Sequence, residues 1–266
     1  MDGSEPAFGT FQPTPREARL IALGRRLKPT WAGRRIASLI RSHLRRTRRE
    51  PIDLEVIGQR MRLYAGNNSC EKRLIVTPQF FDPDELQFLR GRFKPGFTFL
   101  DVGCNVGAYS VFAGLNAGPG ARVIAIDPNE IVLKRLRFNA KANGLDNITV
   151  VHSAVGDEDG EAEFALEEVN MGGSSLRLDR KARGGKTVFK VPVRTLAGIV
   201  KEAGLAHVDV LKIDVEGYED RVLIPYLTAA PAALHPGAII MEDSAASWYR
   251  STGHMGHNGI LVREAG

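Results

Sequence analysis

Cysteine is nearly absent: Cys70 and Cys104 are the only two, they lie far apart, and neither belongs to a CxxC pair. That excludes a disulfide framework and thiolate zinc sites, and a reducing compartment is expected. No apolar run approaches the ~20 residues that a membrane-spanning helix needs. The opening stretch, MDGSEPAFGTFQPTP, lacks the charged and then apolar regions of a secretory leader, so a cytoplasmic protein is expected. Acids are almost missing from residues 16–49, which hold twelve Lys and Arg against Glu17 alone. That segment therefore carries +11; the whole chain carries +5, which leaves −6 for the rest. Aromatic residues are scarce there too. With only Trp31 to stack on a base, nucleic acid ranks behind an anionic membrane surface or an acidic partner for this segment.

What is present is the material of a globular protein: 266 residues, 43% of them hydrophobic, enough for one large α/β domain and an appendage. Pro, Gly, Ser and Thr dominate residues 1–15, which predicts disorder. Ile36, Leu39, Ile40 and Leu44 recur at helical spacing and predict an amphipathic basic helix, so residues 1–50 read as an arm. Residues 51–96 read as a lead-in. DLEVIGQRMRLYAG alternates like a hairpin, and DPDELQFLRGRF reads as a helix with Asp82 as N-cap and Pro83 in its first turn. From Phe97 to the end, strands and helices alternate: FTFLDVG, AYSVFAGLNAG, ARVIAIDP, NEIVLKRLRFNAKANGL, NITVVHSAVG, then two added strands, then VDVLKIDVEG, YEDRVLIPYL and GAIIMED. Such alternation predicts an α/β fold with an open, mostly parallel sheet and helices on both faces.

The sharpest motif is Phe99-Leu100-Asp101-Val102-Gly103-Cys104-Asn105-Val106-Gly107. Glycines after a strand allow a tight turn and the close approach of a ligand. The pattern differs from the GxGxxG of dinucleotide sites, where a pyrophosphate sits on a helix N-terminus. Here Asp101 would aim a negative charge into the site. A carboxylate suits a ligand bearing an ammonium and a sulfonium, and repels pyrophosphate. Asp127 ends the next strand, where a carboxylate can accept hydrogen bonds from both ribose hydroxyls. The two acids in this order point to S-adenosylmethionine over a nicotinamide cofactor.

FLDVGCNVGAYSVFAG, AIDPNEIVLKRLRFNAKANGL, VVHSAVGDEDGEAEF and VDVLKIDVEGYEDRVL resemble, in that order, the motifs of the FkbM family of methyltransferases, over roughly residues 80–245. The resemblance implies a Rossmann-like class I methyltransferase fold, S-adenosylmethionine as cofactor, and O-methylation of a hydroxyl on a sugar, glycan or natural product. It also implies that Asp101, Gly103, Asn105 and Gly107 shape the methionine pocket and that Asp127 holds the ribose. Ser153 and Ala154 would meet the adenine edge, and Val155 would pack on its ring. Asn105 stands where many other methyltransferases carry glycine.

Methyl transfer needs an oxygen held in line with the methyl and a group that accepts the hydroxyl proton. Strand alternation puts Lys212, Asp214 and Glu216 on one side of the fourth main strand. Asp214 is the first candidate to contact the acceptor hydroxyl or the cofactor's ammonium, Glu216 the second, and Lys212 can orient either. Glu242 and Asp243 end the fifth strand and, with Asp214, offer oxygen ligands to a hard cation; acids are common at strand ends in this fold, and no metal is assigned. His254 and His257, in HMGHNG, read as a polar loop. The family continues past this point with a helix and two strands, whereas about two dozen residues follow Glu242 here, which predicts one short strand at most and a reduced substrate wall. No NPPY-type signature of exocyclic-nitrogen methylation is present. RNA methylation through the basic arm and a cofactor-binding scaffold without turnover are the alternatives. Specificity is expected in the loop 167–187 and the C-terminal tail.

Overall fold

The computed structural model describes residues 5–166, 175–176, 187–215, 217–241, 250–255 and 258–262. Two helices, α1 (Pro15–Gly24) and α2 (Trp31–Thr47), precede a hairpin of β1 (Ile52–Val56) and β2 (Gln59–Leu63). Then come α3 (Ser69–Val76), α4 (Pro83–Arg90), β3 (Thr98–Val102), α5 (Ala108–Asn116), β4 (Arg122–Asp127), α6 (Glu130–Ala142) and β5 (Ile148–His152). A second group holds β6 (Ala154–Gly156), β7 (Gly160–Leu166), β8 (Ser175–Leu176), β9 (Thr187–Thr195) and α7 (Leu196–Glu202). The chain closes with β10 (Val210–Ile213), α8 (Glu219–Ala229), β11 (Ala238–Met241), β12 (Arg250–Met255) and β13 (Asn258–Val262).

Seven strands form the main sheet in the order β12-β13-β11-β10-β3-β4-β5. β11, β10, β3, β4 and β5 run parallel, and β13 returns antiparallel to β11. Every residue of β3, β10 and β11 is buried, so these strands read as continuous apolar runs, the pattern of a sheet covered on both faces. Alternate residues feed two cores. Phe99, Val123, Val210 and Ile240 join a core that also takes α5 and the N-terminal helices. Leu100, Ile124, Leu211 and Ile239 pack with α7 and α8 on the other side. The stretch NITVVHSAVG divides at Ser153: β5 stays in the main sheet and β6 pairs with β9 in a separate four-stranded sheet. The sheet order reverses between β3 and β10, which opens the crevice where ligands bind in such folds.

The two ends of the chain depart from the sequence reading. Residues 16–49 are no free arm and no single helix. Pro29 keeps the preceding residue out of helical geometry, and Thr30 caps the second helix by accepting from the Gly33 amide. The buried stripe of α2 is Gly33, Ala37, Ile40 and Leu44, while Ile36 and Leu39 are exposed. Gly24 lies so close to α3 that a Cβ there would stand 2.4 Å from the Val76 carbonyl oxygen. Burying Ile21, Ile40 and Leu44 contributes roughly 1.5–3 kcal/mol each, which fixes both helices to the domain. The expected disorder of residues 1–15 does not extend to those described. The Gly9 and Phe11 amides donate to Asp53, and the Arg62 guanidinium donates to the carbonyls of Pro6 and Ala7. At the other end the chain forms two strands where one was expected. β12, RSTGHM, lies at the sheet edge and lacks apolar alternation, so nothing in its sequence marks it. Met255 pairs with Asn258 and His254 with Gly259, so the ends of HMGHNG are strand.

Candidate functional site

The carboxyl ends of β3, β4 and β10 meet at the crevice. Asp101 sits on β3 beside Lys212 of β10 in the parallel register. Its Oδ2 accepts a 2.5 Å bond from the Ser110 hydroxyl on α5, whereas its Oδ1 is buried without a hydrogen-bond partner. The Lys212 ammonium lies 3.9 Å from Asp101 and 3.6 Å from Asp214, and 5.3 Å from the centre of the Tyr109 ring. Burial works against that ammonium, but Asp214, Asp101 and Asp82 outweigh it and hold its pKa above the usual lysine range. Lys212 is therefore a fixed positive charge and not a base. Burial raises the Asp101 pKa, with Lys212 and Ser110 opposing it.

The turn after β3 binds the site together through its backbone. Gly103 has φ of +76°, and a Cβ there would lie 2.0 Å from the Asp214 carbonyl oxygen. Gly107 has φ of +85°, and its Cβ would press on the Leu136 side chain at 2.7 Å. What demands glycine at both positions is thus the packing of strand ends and of α6. Asn105 takes the left-handed conformation, φ 51°, that asparagine tolerates. Its amide donates to Asp127 Oδ2 at 3.0 Å, the Asn129 amide donates to Oδ1 at 2.8 Å, and the Asn105 side-chain oxygen accepts from Asn68 at 2.7 Å. Burial pushes the Asp127 carboxyl up to about 6, against the pull of those two amides.

Asp101 and Asp214 thus share a single ammonium, Asp127 closes the neighbouring strand end, and Asp101 Oδ1 accepts no hydrogen bond beside its 3.9 Å ion pair. The arrangement fits a cationic ligand with ribose-like hydroxyls and does not fit a pyrophosphate. Residues 101–259 match the methyltransferase FkbM domain. The chain belongs to that family. An FkbM methyltransferase named for 31-O-demethyl-FK506, from Streptomyces tacrolimicus, is 30% identical over 156 residues, covering 49% of this chain and 59% of the relative. A probable cobalt-precorrin-6B C(15)-methyltransferase of Saccharolobus solfataricus is 30% identical over 125 residues, covering 46% of this chain and 57% of the relative. The matched stretch thus spans less than two thirds of either relative. Among solved structures, a SAM-dependent methyltransferase from Agrobacterium tumefaciens shares 13% identity at a TM-score of 0.40, covering 75% of this chain and 55% of the other.

Within this FkbM domain the structure brings Asp101, Gly103, Asn105, Gly107, Asp127, Lys212 and Asp214 into one crevice. Ser153 and Ala154 lie next to Asp127 but are buried, and the Ser153 hydroxyl stands 2.6 Å from the Ala154 carbonyl and 3.0 Å from that of Pro192. Of the expected adenine-side residues, Val155 lines a recess of about 110 Å³ with Gly156, Val193, Tyr218 and Arg221. Glu216, Glu242, Asp243 and His257 lie outside the described residues, as does most of the loop 167–187.

Sequence reasoning missed four residues of the site: Asn68, Asp82, Tyr109 and Ser110. Asp82 occupies the N-cap position of α4 but makes no capping bond; it holds φ of 43° while its carboxylate accepts from Arg73 at 3.0 Å and from the Tyr109 hydroxyl at 3.1 Å. Left-handed backbone at a non-glycine residue costs energy and tends to mark functional ground. In the sequence, only the Asp-Pro pair hinted at it.

Proposed function

We propose that this FkbM domain binds S-adenosylmethionine and methylates a hydroxyl group of a small-molecule or glycan acceptor. The supporting observation is the excess of carboxylate around Lys212, where Asp101 Oδ1 has only a 3.9 Å ion pair and accepts no hydrogen bond. When bound, S-adenosylmethionine supplies a methyl already activated by its sulfonium. Asp101 Oδ1 would then accept from the ligand's ammonium, and Gly103, Asn105 and Gly107 would set the turn that walls the methionine end. Asp127 offers each oxygen a further lone pair for ribose hydroxyls. Ser153 and Ala154 would shape the adenine side, and Val155 would meet its ring. Asp214, half-exposed at the crevice, would accept the acceptor's proton, with Glu216 as its neighbour and Lys212 holding it in place. The name of the Streptomyces relative, an O-demethyl substrate, supports oxygen as the methylated atom.

The test is titration calorimetry of S-adenosylmethionine, S-adenosylhomocysteine and NADH, followed by transfer of labelled methyl to hydroxylated acceptors. The first two should bind and NADH should stay silent. Asp101→Ala removes a charge-assisted hydrogen bond and should weaken S-adenosylmethionine roughly 10- to 150-fold, from about 1.5–3 kcal/mol. Equal affinity of variant and wild type would sink the assignment of Asp101.

Affinity should also depend on pH. Burial pushes the Asp127 carboxyl up to about 6, and its ionised form is the one that accepts from two hydroxyls. Affinity should be full above that value and decline as pH falls through it, while Asp127→Asn should bind weakly at every pH. Without ligand the sign reverses: the folded state holds this proton more tightly than the unfolded chain, so acidification through pH 6 stabilises the fold at this residue. A flat affinity profile between pH 5 and pH 8 would remove Asp127 from the ribose role.

A further inference from the structure

A second cavity lies outside the crevice, between α2 and α3, with a volume of about 680 Å³. Five cations line it: Arg34, Arg41 and Arg45 from α2, and Lys72 and Arg73 from α3. No carboxylate lines it. The acid nearest in sequence, Glu71, turns inward onto Arg135 and the Tyr64 amide, and of the five cations Asp82 pairs with Arg73 alone. Arg41, Arg45 and Lys72 make no ion pair among the described residues, and Arg34 reaches only the Pro29 carbonyl, at 3.4 Å. Ser38, Ser42, Ser69 and Thr77 add hydroxyl groups to the wall.

Such crowding has a cost that the fold does not relieve. Arg41 and Lys72 are half-buried, and both have lowered pKa values. Burial is the leading cause for each; Arg73 adds to it at Arg41, and Arg45 and Arg41 add to it at Lys72. Like charges gathered in a concave, partly desolvated place favour a multivalent counter-anion. The rest of the chain, at −6 outside residues 16–49, would disfavour one elsewhere.

The cavity also adjoins the crevice. Arg73 binds Asp82, Asp82 binds the Tyr109 hydroxyl, and the Tyr109 ring faces Lys212. At the start of α3, Asn68 bonds Asn105 in the glycine turn. A short chain of contacts from α3 therefore links the two places.

We infer that this cavity binds the phosphate or pyrophosphate group of an anionic ligand, and that this group anchors the methyl acceptor beside Lys212 and Asp214. The second half of the inference rests on the methyltransferase reading; the first does not. The volume falls in the range of small-molecule sites, about 300–1,000 Å³. A single-stranded nucleic acid would need a longer track with rings for stacking, and Phe80 is the only ring on this lining.

The experiment titrates inorganic pyrophosphate into the full chain at low ionic strength, against wild type and Arg41→Gln/Lys72→Gln. Wild type should bind, and the variant should bind at least tenfold more weakly. The variant's melting temperature should hold or rise, because repulsion has been removed, and its affinity for S-adenosylmethionine should stay unchanged. No binding of pyrophosphate, or equal binding by both proteins, overturns the inference. Sedimentation with phosphatidylglycerol vesicles separates the sources of the phosphate. Capture of wild type alone, reversed by pyrophosphate, assigns it to a lipid headgroup; no capture assigns it to a soluble ester. An RNA dodecamer whose binding survives the double substitution, with pyrophosphate inert, also overturns it. If wild type fails to bind S-adenosylmethionine while pyrophosphate still binds, the methyltransferase reading has failed and the anion site has not.

Discussion

Asp214→Asn should lower kcat by about 10²- to 10⁴-fold on any acceptor that wild type methylates, the range typical of a lost general base. The affinity for S-adenosylmethionine should change little, because Asp101 and Asp127 remain. Asp214 is suited to the role by position: Lys212 holds its carboxylate at 3.6 Å, yet its side chain is 45% exposed and free to meet an acceptor. Glu216→Gln should be measured beside it, since the two stand two residues apart. A large kcat loss in Glu216→Gln with none in Asp214→Asn would transfer the role to Glu216.

A loss of stability of similar size is expected far from the crevice. Arg62 is only 2% exposed and binds Asp53 through two bonds of 2.8 Å and 2.9 Å. Phe138 covers one side of its guanidinium at 3.9 Å, Phe11 lies 4.7 Å from it, and the Pro6 and Ala7 carbonyls accept two of its other N–H groups. Arg62→Met strands a buried carboxylate and should cost about 3–5 kcal/mol of unfolding free energy. A urea melt reads this as a lower midpoint at constant slope. Limited proteolysis should show residues 5–14 released in the variant. A loss below about 1 kcal/mol would mean that Asp53 is satisfied by the Gly9 and Phe11 amides alone.

Much of this was legible in the residues, for reasons that differ by element. β3, β4, β10 and β11 are buried on both faces, so TFLDV, RVIAID, VLKI and AIIM announce themselves as apolar runs. Once the parallel order is accepted, the charged residues at their ends must converge, and Asp101, Asp127, Lys212 and Asp214 do. Ser110 and Tyr109 were hidden because each reads as an ordinary helical residue; only the fold reveals that their oxygens face Asp101 and Asp82. The N-terminal helices misled in the opposite way. The large residues Ile36 and Leu39 suggest the buried face, but close packing selects the small ones, Gly33 and Ala37. β12 is an edge strand paired with β13, and its sequence, RSTGHM, carries no alternation to read.

The adjacency of β3 and β10 orders events in time. The Thr98 amide is bonded to the Asp209 carboxylate across 111 positions of sequence, and Lys212 enters the sheet with that same strand. A chain emerging from synthesis can therefore lay down β3, β4 and β5, complete with the glycine turn and the carboxylate of Asp127, before the positive charge opposite Asp101 exists. Until then no ammonium lies beside Asp101 to offset the desolvation of its carboxylate. The pairing of β10 with β3, slow because its contacts are so remote in sequence, is thus also the step that brings the ammonium into the pocket.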